Sequence, residues 1–223
     1  MARWFNIGGP CIEADNYMLS AMDRLPEVAS LVRKSQYFVV HAPRQSGKTT
    51  AFLLFANETN AKGEAVAMYC SLETVQEFPK AADGIPKICA CLREAAWGLP
   101  GIDKFAEEHW PITDMPKDEV IVSGVQNVLR RYAEIAGKPL YVLFDEVDCL
   151  GGETLITFLR QLRNGKIDMG KGVPFALFST WAFSRWTERC SSRRIRCMRR
   201  SSAAISRGVR SRRWACWCPR RPG

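Results

Sequence analysis

The segment Ala42 to Thr50, with the sequence APRQSGKTT, constrains the fold of this chain more than any other feature. It follows the apolar run Tyr37 to His41 and precedes an apolar stretch that begins at Ala51. A loop that binds a triphosphate needs several backbone N–H groups directed at one anion, which requires small or flexible residues and a helix N-terminus directly afterwards. The sequence therefore predicts a nucleoside triphosphate site built on a strand, a phosphate loop and a helix.

The residues of this loop have expected roles at the phosphates. Lys48, which we also predict to act in catalysis, would reach the β- and γ-phosphates, and Thr49 would place its hydroxyl on Mg²⁺. Ala42 stands where the pattern G-x-x-x-x-G-K-[ST] has its first glycine, and Pro43 then fixes φ near the value that a turn requires. A solvated loop with one lysine is the alternative interpretation. The predicted nucleotide-binding residues are Ala42, Pro43, Arg44, Gln45, Ser46, Gly47, Lys48, Thr49 and Thr50.

A second apolar run supplies the acidic groups. Residues Tyr141 to Phe144 lead into Asp145 and Glu146, which places carboxylates at the carboxyl edge of a parallel sheet, where ligands bind in open α/β folds. Asp145 would hold Mg²⁺, directly or through water, together with Thr49. Glu146 would act as the catalytic base on the attacking water, a role that an ATPase needs more than a small-molecule kinase does. Two interpretations of Asp148 stay open, a site carboxylate or a helix cap.

Strand-like and helix-like patterns alternate along the chain. Runs suited to buried strands lie at residues 37–41, 65–70, 140–145 and 174–179. Helical periods lie at residues 25–32, 85–95, 121–132 and 155–162. This alternation predicts an α/β fold, a P-loop three-layer sandwich with a parallel sheet. The run at 174–179 would lie between the loop strand and the acidic strand. The stretch from Trp97 to Lys117, which contains three prolines, is expected to be a surface excursion.

On these motifs the chain resembles the bacterial and archaeal AAA-like ATPases of the P-loop superfamily. Members often show APRQ[ST]GKTT, the phosphate loop or Walker A motif, and later LFDE[IV]D, the acidic or Walker B motif. Ala42 to Thr50 and Leu143 to Asp148 match them, and the resemblance extends over roughly residues 5 to 180. Members generally continue into a fifth strand and a helical lid. The resemblance thus implies the sheet type with an additional strand and a catalytic glutamate, truncated and incomplete at its C-terminal end.

The resemblance also assigns roles residue by residue. It implies that Ala42 to Thr49 bind phosphate, that Thr49 and Asp145 serve the metal, and that Glu146 is the hydrolytic base. It suggests that residues 5–12 contact the adenine, for which an N-terminal strap over the core is the alternative. Ser179 or Thr180 would present a polar group to the γ-phosphate.

The composition changes near residue 180. Residues 1–180 contain 19 Lys and Arg against 22 Asp and Glu, a net charge of −3, whereas residues 181–223 contain 13 arginines and one acid, a net charge of +12. The chain's net charge of +9 therefore comes from its tail. We predict three regions, which are an N-terminal segment and helix over 1–36, a P-loop ATPase core over 37–180, and an Arg-, Cys- and Trp-rich tail over 181–223.

Three interpretations of this tail remain open. It is a disordered basic arm that binds nucleic acid through phosphate contacts, a small metal site, or a stretch translated out of frame. The metal site would use Cys190, Cys197, Cys216 and Cys218, whose spacing matches no common zinc pattern. We favour the third interpretation, because arginine without lysine, with many Cys, Trp, Ser and Pro residues, is typical of a shifted frame of GC-rich DNA.

These patterns predict a cytoplasmic ATP-binding protein that requires Mg²⁺, and an ATPase that drives conformational change in a protein partner. The alternatives are a nucleic-acid-binding protein that uses the P-loop as a switch, or a truncated fragment without activity. Neither Arg185 nor Arg189 can be assigned as an arginine finger, so ATP binding is better supported than hydrolysis. Scattered cysteines and the lack of a long apolar run are typical of a reduced compartment and predict no membrane partner.

Overall fold

The computed structural model describes residues 3–6, 11–12, 14–17, 31, 38–42, 46–168, 175–182 and 215–217. Several sequence predictions lie outside these residues. They are most of the helix predicted at 25–32, the loop residues Pro43, Arg44 and Gln45, the arginines Arg185 and Arg189, and the tail cysteines Cys190, Cys197 and Cys218.

Strands and helices alternate along the described chain. The elements are β1 (Phe38–Ala42), α1 (Lys48–Lys62), β2 (Val66–Ser71), α2 (Ala81–Ala95), α3 (Ile102–Glu108), α4 (Lys117–Ala136), β3 (Leu140–Asp145), α5 (Gly152–Asp168), β4 (Phe175–Ala182) and β5 (Ala215–Trp217). Short 3-10 turns follow β2 at Glu73–Val75 and β3 at Val147–Cys149. The predicted α/β class is confirmed, and each of the four predicted strands overlaps an observed one.

Among the described residues the sheet is parallel, with five strands in the order β2-β3-β4-β1-β5. Strand β4 lies between β1 and β3, as predicted, because Phe178 pairs with both Phe38 and Leu143. Parallel strands end at a common edge, and this brings the end of β1 near the end of β3. The strand that precedes the phosphate loop and the strand that ends in the acidic motif are therefore held one strand apart.

A fifth strand is present, although the sequence suggested a sheet without one. Residues Ala215–Trp217 pair in parallel with β1, and Val39 is the partner of Cys216. A strand at the edge of a sheet exposes N–H and C=O groups that any short extended segment within reach can pair with. Three residues are too few to show a period of two, so the sequence pattern gave no sign of this strand.

The sheet separates two apolar layers. On one face α2, α4 and α5 pack against Met68, Cys70, Val142 and Phe144. On the other face α1 packs Phe52 and Phe55 against Phe38, Val40, Ala67 and Leu143. Alternate residues of β2 and β3 thus face opposite layers, as the period of two in a strand requires. Helix α1, which follows the predicted phosphate loop, packs directly against the strands that carry the predicted site.

The stretch from Trp97 to Lys117 is more than the predicted surface excursion. It contains α3, in which Ile102 and Ala106, four residues apart, are buried on one helical face. The guanidinium of Arg93 donates to the Ala106 carbonyl at 3.0 Å and lies 5.4 Å from the centroid of the Trp110 ring. The sequence pattern was a weak guide here, because three prolines interrupt the stretch and α3 has only seven residues.

Candidate functional site

The phosphate-loop segment turns into a helix at Gly47. This residue has φ 82° and ψ 21°, a left-handed conformation that glycine adopts without the steric cost of a β-carbon. The chain bends there and α1 begins at Lys48, as predicted. Lys48, Thr49 and Thr50 form the first helical turn, in which backbone N–H groups have no partner within the helix. Such a turn suits an anion at its N-terminus.

The central contact of the site joins α1 to β3. Thr49 donates from Oγ1 to Asp145 Oδ2 over 2.6 Å, and the two residues are 96 positions apart in the chain. A short O–H to carboxylate distance indicates a charge-assisted hydrogen bond. The structure therefore brings together the two residues that the sequence predicts to serve a metal.

The carboxylate of Asp145 is held by further donors. The residue is 1% exposed, and burying a carboxylate is costly unless it is hydrogen-bonded. The phenol of Tyr69 donates to Asp145 Oδ2 at 3.0 Å, and the backbone N–H of Glu146 donates to Oδ1 at 3.0 Å. Burial, together with the charge of Asp145, raises the pKa of Tyr69 above its ordinary value, so the phenol stays protonated and acts as a donor at neutral pH.

Tyr69 is the site residue that the sequence prediction missed. It lies two residues before the end of β2, outside both the loop motif and the acidic motif. Its position near the carboxyl end of a predicted strand was the available signal. That signal is weak, because a tyrosine in a strand is ordinarily a packing residue.

Glu146 adopts a strained backbone conformation. Its φ is 57° and its ψ is 35°, which is left-handed. For a residue with a β-carbon this conformation costs roughly 1–2 kcal/mol. Such conformations concentrate at functional sites. At this residue the backbone leaves β3 and enters the 3-10 turn Val147–Cys149.

The side chain of Glu146 sits among acidic neighbours. Burial raises the pKa of Glu146, the charges of Asp148 and Asp145 raise it further, and the Lys48 ammonium partly lowers it. The ligand atoms of Glu146, Asp148 and Cys149 lie within 4.8 Å of one another. The structure thus places Asp148 next to the predicted catalytic base.

Cys149 acts in this cluster as a hydrogen-bond donor. Its thiol donates to Glu146 Oε2 over 3.8 Å. Burial, followed by the charges of Glu146 and Asp148, raises the pKa of Cys149 to about 11. A protonated thiol is a poor metal ligand. Thr49 and Asp145 are therefore better placed than this cluster to provide oxygen ligands for a hard cation.

The N-terminal segment contacts the first turn of α1. The backbone N–H of Cys11 donates to Thr50 Oγ1 at 3.2 Å, so the segment lies beside the helix that carries Lys48 and Thr49. Phe5 and Tyr17 form a tilted ring pair with centroids 5.1 Å apart, and Phe5 is 79% exposed. Part of the range 5–12 therefore lies close to the predicted nucleotide site.

The remaining predicted site residues have simple positions. Ala42 ends β1, and Ser46 precedes Gly47 at the start of α1. Ser179 and Thr180 lie in the backbone of β4, where Ser179 pairs with Val39 and Phe144. Ala42 and Asp145 thus end β1 and β3, whereas Ser179 and Thr180 lie within β4, which ends at Ala182.

A scan against protein-family models finds no match to this chain, and a search of curated proteins finds no significant match. None of the described helices has the length and apolar character that a membrane crossing requires.

The raised pKa of Glu146 predicts a pH-dependent effect of its removal. A carboxyl group with a raised pKa in the folded state favours folding at low pH and loses that contribution as pH rises through the folded pKa. Glu146→Gln stays neutral throughout. We therefore expect Glu146→Gln to have a higher Tm than the wild type at pH 8. The difference in Tm between the two should shrink toward pH 4.

The measurement is thermal unfolding in the absence of nucleotide across this range. Glu153→Gln, at an exposed position in the first turn of α5, controls for the change in net charge. If the difference in Tm between Glu146→Gln and the wild type is the same at every pH, the raised pKa of Glu146 is contradicted.

Proposed function

We propose that this chain binds ATP together with Mg²⁺ at the carboxyl edge of its sheet, between α1 and β3, and hydrolyses it. The supporting observation is the 2.6 Å hydrogen bond from Thr49 to Asp145. A hydroxyl that donates its proton to a carboxylate keeps its lone pairs for a cation. A loop threonine and a strand-end aspartate are the pair that holds Mg²⁺ in P-loop NTPases.

The strand order supports a more specific fold within the α/β class. We propose a P-loop sandwich of the type with an additional strand and a catalytic glutamate, in which β4 separates the loop strand from the acidic strand. The N-terminus of α1 and the end of β3 then face one edge, where open α/β sheets bind ligands. The AAA-like resemblance of the sequence leads to the same arrangement.

Phosphate binding would fall to the first turn of α1. The N–H groups after Gly47 and the positive end of the helix dipole attract an anion, and the Lys48 ammonium adds a full charge. When bound, Mg²⁺ would offset the negative charge of the phosphate oxygens. Thr49 and Asp145 would hold it, and the donors around Asp145 keep that carboxylate oriented.

Water activation would fall to Glu146. Its carboxylate follows Asp145 directly, and its raised pKa makes it a stronger base than an ordinary glutamate. The attacking water would transfer a proton to Glu146 as its oxygen bonds to the γ-phosphorus, while the bond from the γ-phosphorus to the β,γ-bridging oxygen breaks and ADP leaves. The Cys149 thiol, 3.8 Å from Oε2, and the Lys48 charge would orient the base.

The N-terminal segment would complete the pocket on the adenine side. Cys11 bonds to Thr50 in the first turn of α1, and this places the segment beside the phosphate-binding turn. The described residues of the range 5–12, which are Phe5, Asn6, Cys11 and Ile12, are therefore proposed to contact the base, in agreement with what the family resemblance implies, and residues 7–10 lie outside the described residues.

Nucleotide binding is tested by thermal unfolding of the full chain with and without Mg²⁺-ATP. A ligand at a hundred times its dissociation constant stabilises a protein by about 2.7 kcal/mol, which raises Tm measurably. We expect this shift in the wild type and in Lys62→Ala, an exposed lysine at the other end of α1. Lys48→Ala should lose most of it. An equal shift in Lys48→Ala and Lys62→Ala would rule out the phosphate site.

Hydrolysis is tested by phosphate release under saturating Mg²⁺-ATP. Removing a general base lowers the rate about 10²- to 10⁴-fold. Glu146→Gln should therefore lose turnover while it keeps the Mg²⁺-ATP shift in Tm, and Glu153→Gln should behave as the wild type. Turnover that persists in Glu146→Gln would exclude Glu146 as the base without affecting the binding proposal.

A further inference from the structure

We propose that Tyr69 is a positioning residue that orients Asp145 for Mg²⁺, an inference that rests on the proposed function. Its phenol donates to Asp145 Oδ2 at 3.0 Å, the same oxygen that accepts the Thr49 hydroxyl at 2.6 Å. Neither the loop motif nor the acidic motif contains this residue, so sequence motifs do not reveal its role.

The three donors fix the plane of the Asp145 carboxylate. The backbone N–H of Glu146 holds Oδ1, while the hydroxyls of Thr49 and Tyr69 converge on Oδ2 from two different elements. The terminal torsion of an aspartate is otherwise broad. Without the Tyr69 hydroxyl, Thr49 would be the one donor of these three that still bonds to Oδ2. Thr49 must also bind the cation. The carboxylate would then have to be ordered at the moment the metal binds.

Tyr69 is itself firmly placed. In the register of β2 with β3, Tyr69 pairs with Leu143 and Ser71 pairs with Asp145. The side chain of Asn60 in α1 donates to the Ala67 carbonyl at 2.9 Å and accepts from the Ala67 N–H at 2.8 Å. These bonds fasten β2 to the helix that carries Thr49. The two hydroxyls that donate to Asp145 Oδ2 therefore lie on two elements, α1 and β2, that are hydrogen-bonded to each other.

The aromatic ring and the hydroxyl of Tyr69 have separable roles. The ring packs against the apolar cluster under α1, which includes Leu143, the residue that pairs with Tyr69 across β2 and β3. Tyr69→Phe keeps this ring and removes only the donor to Asp145. The variant is expected to fold, and its Mg²⁺ response isolates the hydrogen bond. Tyr141→Phe is the matched control, because Tyr141 packs in the same layer against Phe55, with ring centroids 6.3 Å apart.

The experiment titrates MgCl₂ into the full chain at saturating ATP and follows Tm, so it does not depend on turnover. Loss of a hydrogen-bond partner behind a metal ligand typically costs 10- to 100-fold in metal affinity. We expect the Mg²⁺ concentration at half of the maximal Tm shift to rise about 10-fold or more in Tyr69→Phe. Tyr141→Phe should keep the wild-type midpoint.

The possible failures are distinguishable. A wild-type midpoint in Tyr69→Phe would overturn the positioning role, including the case in which the unliganded Tm falls, since a purely structural role lowers stability without changing the Mg²⁺ response. A wild-type chain that shows no shift with Mg²⁺-ATP would overturn the proposed function and this inference with it.

Discussion

The hydrogen bond between Thr49 and Asp145 is the interaction on which the site depends. It spans 2.6 Å between the first turn of α1 and the last residue of β3. Its acceptor, Asp145, is 1% exposed. A buried carboxylate without donors would destabilise the fold by several kcal/mol. The fold can keep Asp145 in place only because β4 holds β1 and β3 one strand apart and thereby brings the helix after β1 within reach.

Several acidic side chains lie close to this hydrogen bond. Asp145, Glu146 and Asp148 follow one another within four positions, and their mutual repulsion contributes to the raised pKa of Glu146. Glu146 is also held in a left-handed conformation that an ordinary strand would avoid. Both features oppose folding. The Lys48 ammonium partly offsets the repulsion, and the Mg²⁺ of the proposed function would offset more of it.

Much of the architecture could be predicted because its causes are local. Strands buried on both faces appear in the sequence as continuous apolar runs, and these runs located β1 to β4. The glycine at position 47, before Lys48, indicated where α1 begins. The pairing of Thr49 with Asp145 followed from parallel strands that end at one edge. Tyr69 could not be predicted in the same way, because its contact depends on the register between β2 and β3. Helix α3 was missed because two buried positions carry little pattern, and β5 because it has only three residues.

The most direct test of the site is a double-mutant cycle in Mg²⁺-ATP affinity, measured by calorimetry for the wild type, Thr49→Val, Asp145→Asn and the double variant. If the two residues hold one cation through one hydrogen-bonded pair, either single change should remove most of the affinity. The double change should then add little, which corresponds to a coupling of at least about 1 kcal/mol. Losses that simply add, or an affinity that Asp145→Asn leaves unchanged, would contradict a shared metal site.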